Sequence, residues 1–180
     1  IDEPFVIVME YFEQGNLLDK MKKLKLSQKQ KISLEIAIGM RFLHERKPHN
    51  IMHRDIKPTN ILLTNSKVAK ITDFGLSKFY SLEKINSYDN LSELVEYTSN
   101  ELTIEVGTER YMAPEAYISG KYNNKVDIYS CGILLYEMFE NKRYNPNDVM
   151  EWYWTPKKVK NIIVNYMICK NAENRLEALD

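Results

Sequence analysis

The sequence predicts an α+β domain, mainly helical, and three observations predict it. Ile32, Ile36, Met40 and Leu43 recur at helical spacing, so a long amphipathic helix turns one face inward. Val126-Asp127-Ile128-Tyr129-Ser130-Cys131-Gly132-Ile133-Leu134-Leu135-Tyr136-Glu137-Met138 is too apolar for a surface helix and must run through the middle of the fold. Between them, Ile61-Leu62-Leu63 and Val68-Ala69-Lys70-Ile71 flank Thr64-Asn65-Ser66-Lys67, the pattern of a small β-hairpin. A chain of 180 residues, 44% hydrophobic and 28% charged, is long enough to bury one substantial core.

In chain order, Phe5-Val6-Ile7-Val8-Met9 is a compact apolar run and reads as a buried strand. Glu10 to Gln14 are mainly polar, Gly15 allows a bend, and Asn16-Leu17-Leu18-Asp19-Lys20-Met21 opens a short helix. Ser27-Gln28-Lys29-Gln30 has the form of a capping box and starts the long helix, which ends near Arg46. His44 and His49 flank that end without metal-ligand spacing, so both are read as structural or solvent-exposed. Near the C-terminus Thr155-Pro156 reads as an N-cap followed by proline at the first helical position. Val159, Ile162, Ile163, Tyr166 and Met167 then form one core-facing stripe.

Bulk properties narrow the function classes. Lys+Arg and Asp+Glu are each 25, so no general basic field points to nucleic acid. Cys131 and Cys169 lack CxxC spacing, which favours free thiols over a disulfide framework. No apolar run reaches the ~18 residues of a membrane span, and a cytoplasmic location is expected. The first residue is Ile1 rather than Met, so the natural start is expected upstream.

The chemistry centres on His53-Arg54-Asp55-Ile56-Lys57-Pro58-Thr59-Asn60 and on Asp73-Phe74-Gly75. An Asp and an Asn five residues apart on a loop, with another Asp after a hairpin, put two metal-binding oxygens and a proton acceptor around one point. That is the layout of a phosphoryl-transfer site. Together with Gly107-Thr108-Glu109-Arg110-Tyr111-Met112-Ala113-Pro114-Glu115 and the Asp127 helix, these motifs resemble the eukaryotic protein kinases of the serine/threonine type, with features of the tyrosine-kinase-like group.

The resemblance covers essentially the whole chain and implies roles by position. Residues 1–15 would be the last strand of the smaller lobe and the hinge, residues 16–180 the helical larger lobe, and 73–115 the activation segment. The cofactors would be ATP and Mg2+. Met9 sits at the gatekeeper position, the backbone of Glu10 and Phe12 would bond the adenine edge, and Asn16 and Leu62 belong to the same nucleotide site, Leu62 under the adenine. Asp55 would accept the substrate hydroxyl proton and Lys57 neutralise the transferring phosphoryl group, with Asn60 and Asp73 as magnesium ligands. His53 is read as a packed structural histidine, Phe74 as holding Asp73 in place, and Asp127 as capping the catalytic loop from below. Thr108 would bond back to Asp55 and Lys57 on the substrate platform, and Glu115 would pair with Arg175. Tyr129 stands where the family usually has tryptophan. Protein serine and threonine hydroxyls are the implied substrates.

Between Glu83 and Glu105 there are six acidic residues against Lys84 alone. This stretch reads either as a solvated loop or as a regulatory one, in which an upstream kinase phosphorylates Thr103 first, Thr98 or Ser99 next, and Arg54 clamps the phosphate. The six glycines stand at 15, 39, 75, 107, 120 and 132, so no G-x-G-x-x-G covers the phosphates. Only eight residues precede Met9, which leaves no room for the phosphate-gripping strand lysine. The expectation is a larger lobe with hinge that does not transfer phosphate efficiently by itself. The alternative is a catalytically inactive kinase-like binding or regulatory module.

Overall fold

The computed structural model describes residues 8–80, 109–118 and 122–177. The chain enters through an extended stretch in which Val8 and Met9 are 91% and 60% exposed and belong to no strand; residues 5–7 of the expected strand lie outside the described residues. A turn closes at Gly15, whose φ of 68° is open to glycine without strain. Asn16 then caps helix α1 (Leu17–Lys20), accepting the Asp19 N–H at 3.1 Å.

Helix α2 (Leu26–Glu45) begins one residue before the expected cap. Gln28 rather than Gln30 completes the N-terminus, accepting the Lys25 N–H at 2.9 Å. Leu26 prolongs the helix by a residue and so moves the cap from Ser27 to Lys25. The predicted inner face is correct: Ile32, Ile36, Met40 and Leu43 are all buried. Opposite them runs α4 (Lys125–Glu140), in which every residue except Tyr129 is buried. Ile128, Cys131, Leu134, Leu135 and Met138 of α4 join Ile32, Ile36 and Met40 of α2 in one core with Leu17 and Met21. Each fully buried aliphatic side chain there contributes about 1.5–3 kcal/mol.

Four three-residue strands among the described residues lie on this helical base. β2 (Ile61–Leu63) pairs antiparallel with β3 (Ala69–Ile71) in the register Ile61 to Ile71, forming the predicted hairpin, with Lys67 in the left-handed conformation at its turn. β1 (Asn50–Met52) pairs antiparallel with β4 (Lys78–Tyr80), Asn50 opposite Tyr80. This second ladder is not predicted by periodicity, because three residues carry no measurable alternation. The two ladders pin the chain on both sides of the loop between β1 and β2. After the short helix α3 (Pro114–Ile118) and α4, the chain reaches α5 (Lys157–Ile162).

Here the structure corrects the sequence reading. Thr155 does not cap α5; Pro156 holds the N-cap position, and the Thr155 hydroxyl bonds the carboxylate of Glu140 instead. The helix widens into a π-turn at Ile163–Met167, so the helical stripe breaks up. Ile163 is buried, Val159 and Met167 pack at the core edge, but Ile162 and Tyr166 are 45% and 44% exposed. The widening occurs where Met167 and Ile168 cross α4 at Gly132.

Candidate active site

The loop between β1 and β2 is held from beneath by α4. Asp127 is fully buried, and its Oδ2 accepts the His53 N–H at 2.9 Å while its Oδ1 accepts the Arg54 N–H at 2.8 Å. His44, at the end of α2, adds a third bond from Nε2 to Asp127 Oδ2 at 2.8 Å. A buried carboxylate with three donors is satisfied, whereas a bare one would cost several kcal/mol. The N–H bond at Arg54 matters because that residue has φ of 67°, a left-handed conformation that costs a non-glycine residue about 1 kcal/mol or more. Asp127 thereby fixes the backbone immediately before Asp55.

His53 is fully buried and orders the same turn. Its Nδ1 accepts the Asp55 N–H at 3.2 Å, and its Nε2 lies 3.0 Å from the Thr72 carbonyl. A carbonyl only accepts and an amide N–H only donates, so the hydrogen resides on Nε2. His53 is a clip between the turn carrying Asp55 and the strand leading to Asp73.

Asp55 is the centre of the site. Its Oδ2 is engaged by Lys57 Nζ at 2.9 Å and by Asn60 Nδ2 at 2.8 Å. Asn60 Nδ2 also donates to the Asp55 carbonyl at 2.9 Å, which fixes the amide with its oxygen turned away from Asp55. Asp55 Oδ1 is buried and has no hydrogen-bond partner among the described residues. A buried carboxylate oxygen without a donor is rare. Its sister oxygen carries both the ammonium of Lys57 and the amide of Asn60.

Asp73 approaches from the hairpin. The Thr72 N–H donates to the Asn60 carbonyl at 3.0 Å, which places the two oxygen-bearing side chains on adjacent, bonded segments. Asp73 is exposed, has φ of 65°, and its Oδ1 accepts the Gly75 N–H at 3.3 Å. One carboxylate and one amide oxygen suit magnesium, which prefers oxygen and draws its remaining ligands from phosphates and water. No cluster of three or more His, Cys, Asp or Glu residues arranged to hold a metal occurs among the described residues. Phe74 is 48% exposed and tilts against the His53 ring at 5.1 Å, so it braces the histidine clip rather than packing in the core.

Of the residues expected around a nucleotide, Met9 and Glu10 are exposed and Phe12 is half-buried. Asn16 uses its side chain as the α1 cap, and its backbone bridges to Leu62 of β2, while Gly15 accepts the Leu63 N–H at 2.9 Å. The segment 9–16 is therefore tied to the hairpin beside half-buried Leu62. Arg54 extends its Nε to the Leu76 carbonyl at 2.5 Å and its Nη1 to the Tyr122 hydroxyl at 3.2 Å. Thr103, Thr108, Thr98 and Ser99 lie outside the described residues.

The stretch 109–118 is anchored twice. Arg175 is buried and forms a two-pronged pair with Glu115, Nη1–Oε1 at 2.5 Å and Nη2–Oε2 at 3.0 Å. Tyr111 donates its hydroxyl to Glu137 Oε2 at 2.7 Å, and burial together with the Glu137 charge pushes its pKa far above the ordinary phenol range. Glu137 Oε1 takes the Tyr144 N–H at 2.8 Å. Glu137 escaped the motif-based reading, though a carboxylate inside so apolar a helix was a readable sign of a buried anchor.

Residues 2–178 match the family model for the protein kinase domain. The chain belongs to the protein kinase domain family. It is 38% identical over 145 residues, 78% of its length, to the serine/threonine-protein kinase VIK of Arabidopsis thaliana. It is 42% identical over 138 residues to the serine/threonine-protein kinase shk2 of Schizosaccharomyces pombe, and 38% over 152 residues to human receptor-interacting serine/threonine-protein kinase 1, covering 76% and 82% of this chain. The matched parts amount to 30%, 20% and 22% of those three proteins, so this kinase-family chain spans under a third of the length of such relatives. No helix among its described residues is long and apolar enough to cross a membrane.

Proposed function

We propose that this chain is the larger lobe and hinge of a serine/threonine protein kinase that moves the terminal phosphoryl group of ATP to hydroxyls of other proteins. The observation that carries the proposal is the buried Oδ1 of Asp55, without a hydrogen-bond partner among the described residues, beside an Oδ2 held by Lys57 and Asn60. A substrate hydroxyl that donates to Oδ1 satisfies that oxygen and has its own lone pair turned outward for attack on phosphorus. As the new P–O bond forms and the bond to the ADP oxygen breaks, Oδ1 takes the proton. General-base assistance of this kind is worth about 10²–10⁴ in rate. Lys57 supplies fixed positive charge next to the acceptor.

Asn60 Oδ1 and the Asp73 carboxylate would hold Mg2+, which when bound neutralises the charge of the phosphates. Met9, the backbone of Glu10 and Phe12, Asn16 and Leu62 would border the adenine, in a domain divided at residue 15 into hinge and larger lobe, with 73–115 as activation segment. Thr108 would assist Asp55 and Lys57 on the substrate platform. An upstream kinase acting on Thr103, with Arg54 as the phosphate clamp, is the regulation this reading favours, and the cytoplasm is its setting.

Nucleotide binding by the full-length protein tests the site without relying on turnover. Asp73→Asn should weaken magnesium-dependent ATP binding by more than about tenfold while leaving adenosine binding in place, and Asp55→Asn should leave both unchanged. Equal magnesium-ATP affinity in wild type and Asp73→Asn would remove the assigned ligand.

A further inference from the structure

The β2–β3 hairpin carries Asn60 just before its first strand and Asp73 two residues after its second, so its open end bears both oxygen-bearing side chains assigned to magnesium. Its other end is a closed turn. The Lys67 N–H donates to the Thr64 carbonyl at 2.8 Å, the Thr64 N–H to the Val68 carbonyl at 3.0 Å, and the Val68 N–H to the Thr64 hydroxyl at 3.0 Å. Asn65 stands at this turn, and its side chain reaches to residues 51 and 52 positions earlier in the chain. Its Nδ2 donates to Glu13 Oε2 at 2.5 Å, and its Oδ1 accepts from Gln14 Nε2 at 3.1 Å. A carboxylate only accepts, so the Asn65 NH2 group must face Glu13, and its carbonyl oxygen is left for the Gln14 amide. The bond to Glu13 is charge-assisted and the stronger of the two.

The place of this clasp gives it more weight than a surface hydrogen bond has by itself. The Gly15 N–H donates to the Phe12 carbonyl at 3.0 Å, the Gly15 carbonyl accepts the Leu63 N–H at 2.9 Å, and Asn16 bridges to Leu62. Those backbone contacts dock the end of the 12–16 turn on β2, and Asn65 holds its middle. The backbone of 10–12 lies directly before the clasped pair. We infer that Asn65 is a positioning residue for the nucleotide: by gripping Glu13 and Gln14 it sets the backbone of 10–12 against Leu62 and, through the same hairpin, against Asn60 and Asp73. Adenine and phosphates are thus measured from one rigid element. This role rests on the nucleotide site proposed above, and Asn65 acts in it through Glu13 and Gln14 rather than on the ligand.

Equilibrium binding of adenosine and of magnesium-ATP to the full-length protein tests this, with hydrogen exchange of the amides of 9–16 as a second readout. Asn65→Ala should weaken both ligands by the same factor, at least about threefold, and speed exchange in 9–16 at an unchanged Tm. Asp73→Asn differs, since it leaves adenosine binding in place. Asn65→Asp keeps a turn-forming residue but sets a carboxylate against Glu13, and should weaken both ligands at least as far. Adding Glu13→Gln to Asn65→Asp exchanges donor and acceptor across the same bond and should restore both affinities. A merely structural role would not produce that rescue. Asn65→Ala that binds adenosine as tightly as wild type, or a double variant no better than Asn65→Asp alone, overturns the role of Asn65 and leaves the nucleotide site standing. Wild type that binds neither ligand overturns both.

Discussion

Glu140 shows how much one side chain holds. It is buried at the end of α4, and its two oxygens accept the N–H groups of Tyr153 at 2.8 Å, Trp154 at 3.1 and 3.2 Å and Thr155 at 2.9 Å, plus the Thr155 hydroxyl. Burial works to raise its pKa, but the Thr155 hydroxyl and the three backbone donors outweigh it and hold the carboxyl below the usual range. The unfolded chain then binds this proton more readily than the native one, so stability is fully present above the ordinary glutamate range and falls away as pH drops through the lower native value. Glu140→Gln should cost about 1–3 kcal/mol at neutral pH and flatten the acid limb of a stability-against-pH curve measured by urea unfolding. An acid limb identical to wild type would assign the effect elsewhere. At Gly132 an added Cβ would lie 2.6 Å from Ile168 Cγ2 and 2.9 Å from Met167 Cβ, so Gly132→Ala must push the π-turn off α4. A loss of about 1–3 kcal/mol is expected, with a lower urea midpoint as the check. Cys131, fully buried one residue earlier, has its thiol pushed up to about 12 by burial and then by the Asp127 charge, and should resist alkylation in the native state.

At the scale of the element, α4 acts as a post with three carboxylates. Asp127 holds the loop carrying Asp55, Glu137 holds Tyr111 and Tyr144, and Glu140 holds 153–155. The sequence disclosed the post, because its apolar run cannot face water, and disclosed Asp127 through resemblance. The other two carboxylates were open to the same reasoning, since a charge inside such a run must be partnered, but which N–H groups they reach depends on how the chain folds back. The α5 stripe misled for a related reason: periodicity assumes one regular helix, whereas a π-turn takes over at Ile163–Met167 beside Gly132, and Ile162 and Tyr166 lie exposed. The β1–β4 ladder was invisible because its pairing is set by the ends of the intervening chain rather than by local pattern.

Across the whole molecule, the C-terminal segment is bolted to α3. Arg175 joins Glu115 and also donates to the carbonyls of Cys169 and Lys125, while Lys125 Nζ returns to the Arg175 carbonyl at 2.6 Å and to Glu177 at 2.6 Å. Glu115→Ala leaves a buried guanidinium short of its anion, and about 3 kcal/mol of stability should be lost, read as a fall in Tm without a change in the far-ultraviolet spectrum. Transfer of phosphate to a hydroxyl held by Asp55 is open to one decisive experiment. Full-length wild type and Asp55→Asn are incubated with labelled ATP, magnesium and a protein acceptor, and the labelled amino acids are identified. Wild type should yield phosphoserine or phosphothreonine, and Asp55→Asn should lose at least about 10²-fold in transfer with ATP still bound. Transfer by Asp55→Asn at the wild-type rate, or no transfer by a nucleotide-bound wild type, would contradict it.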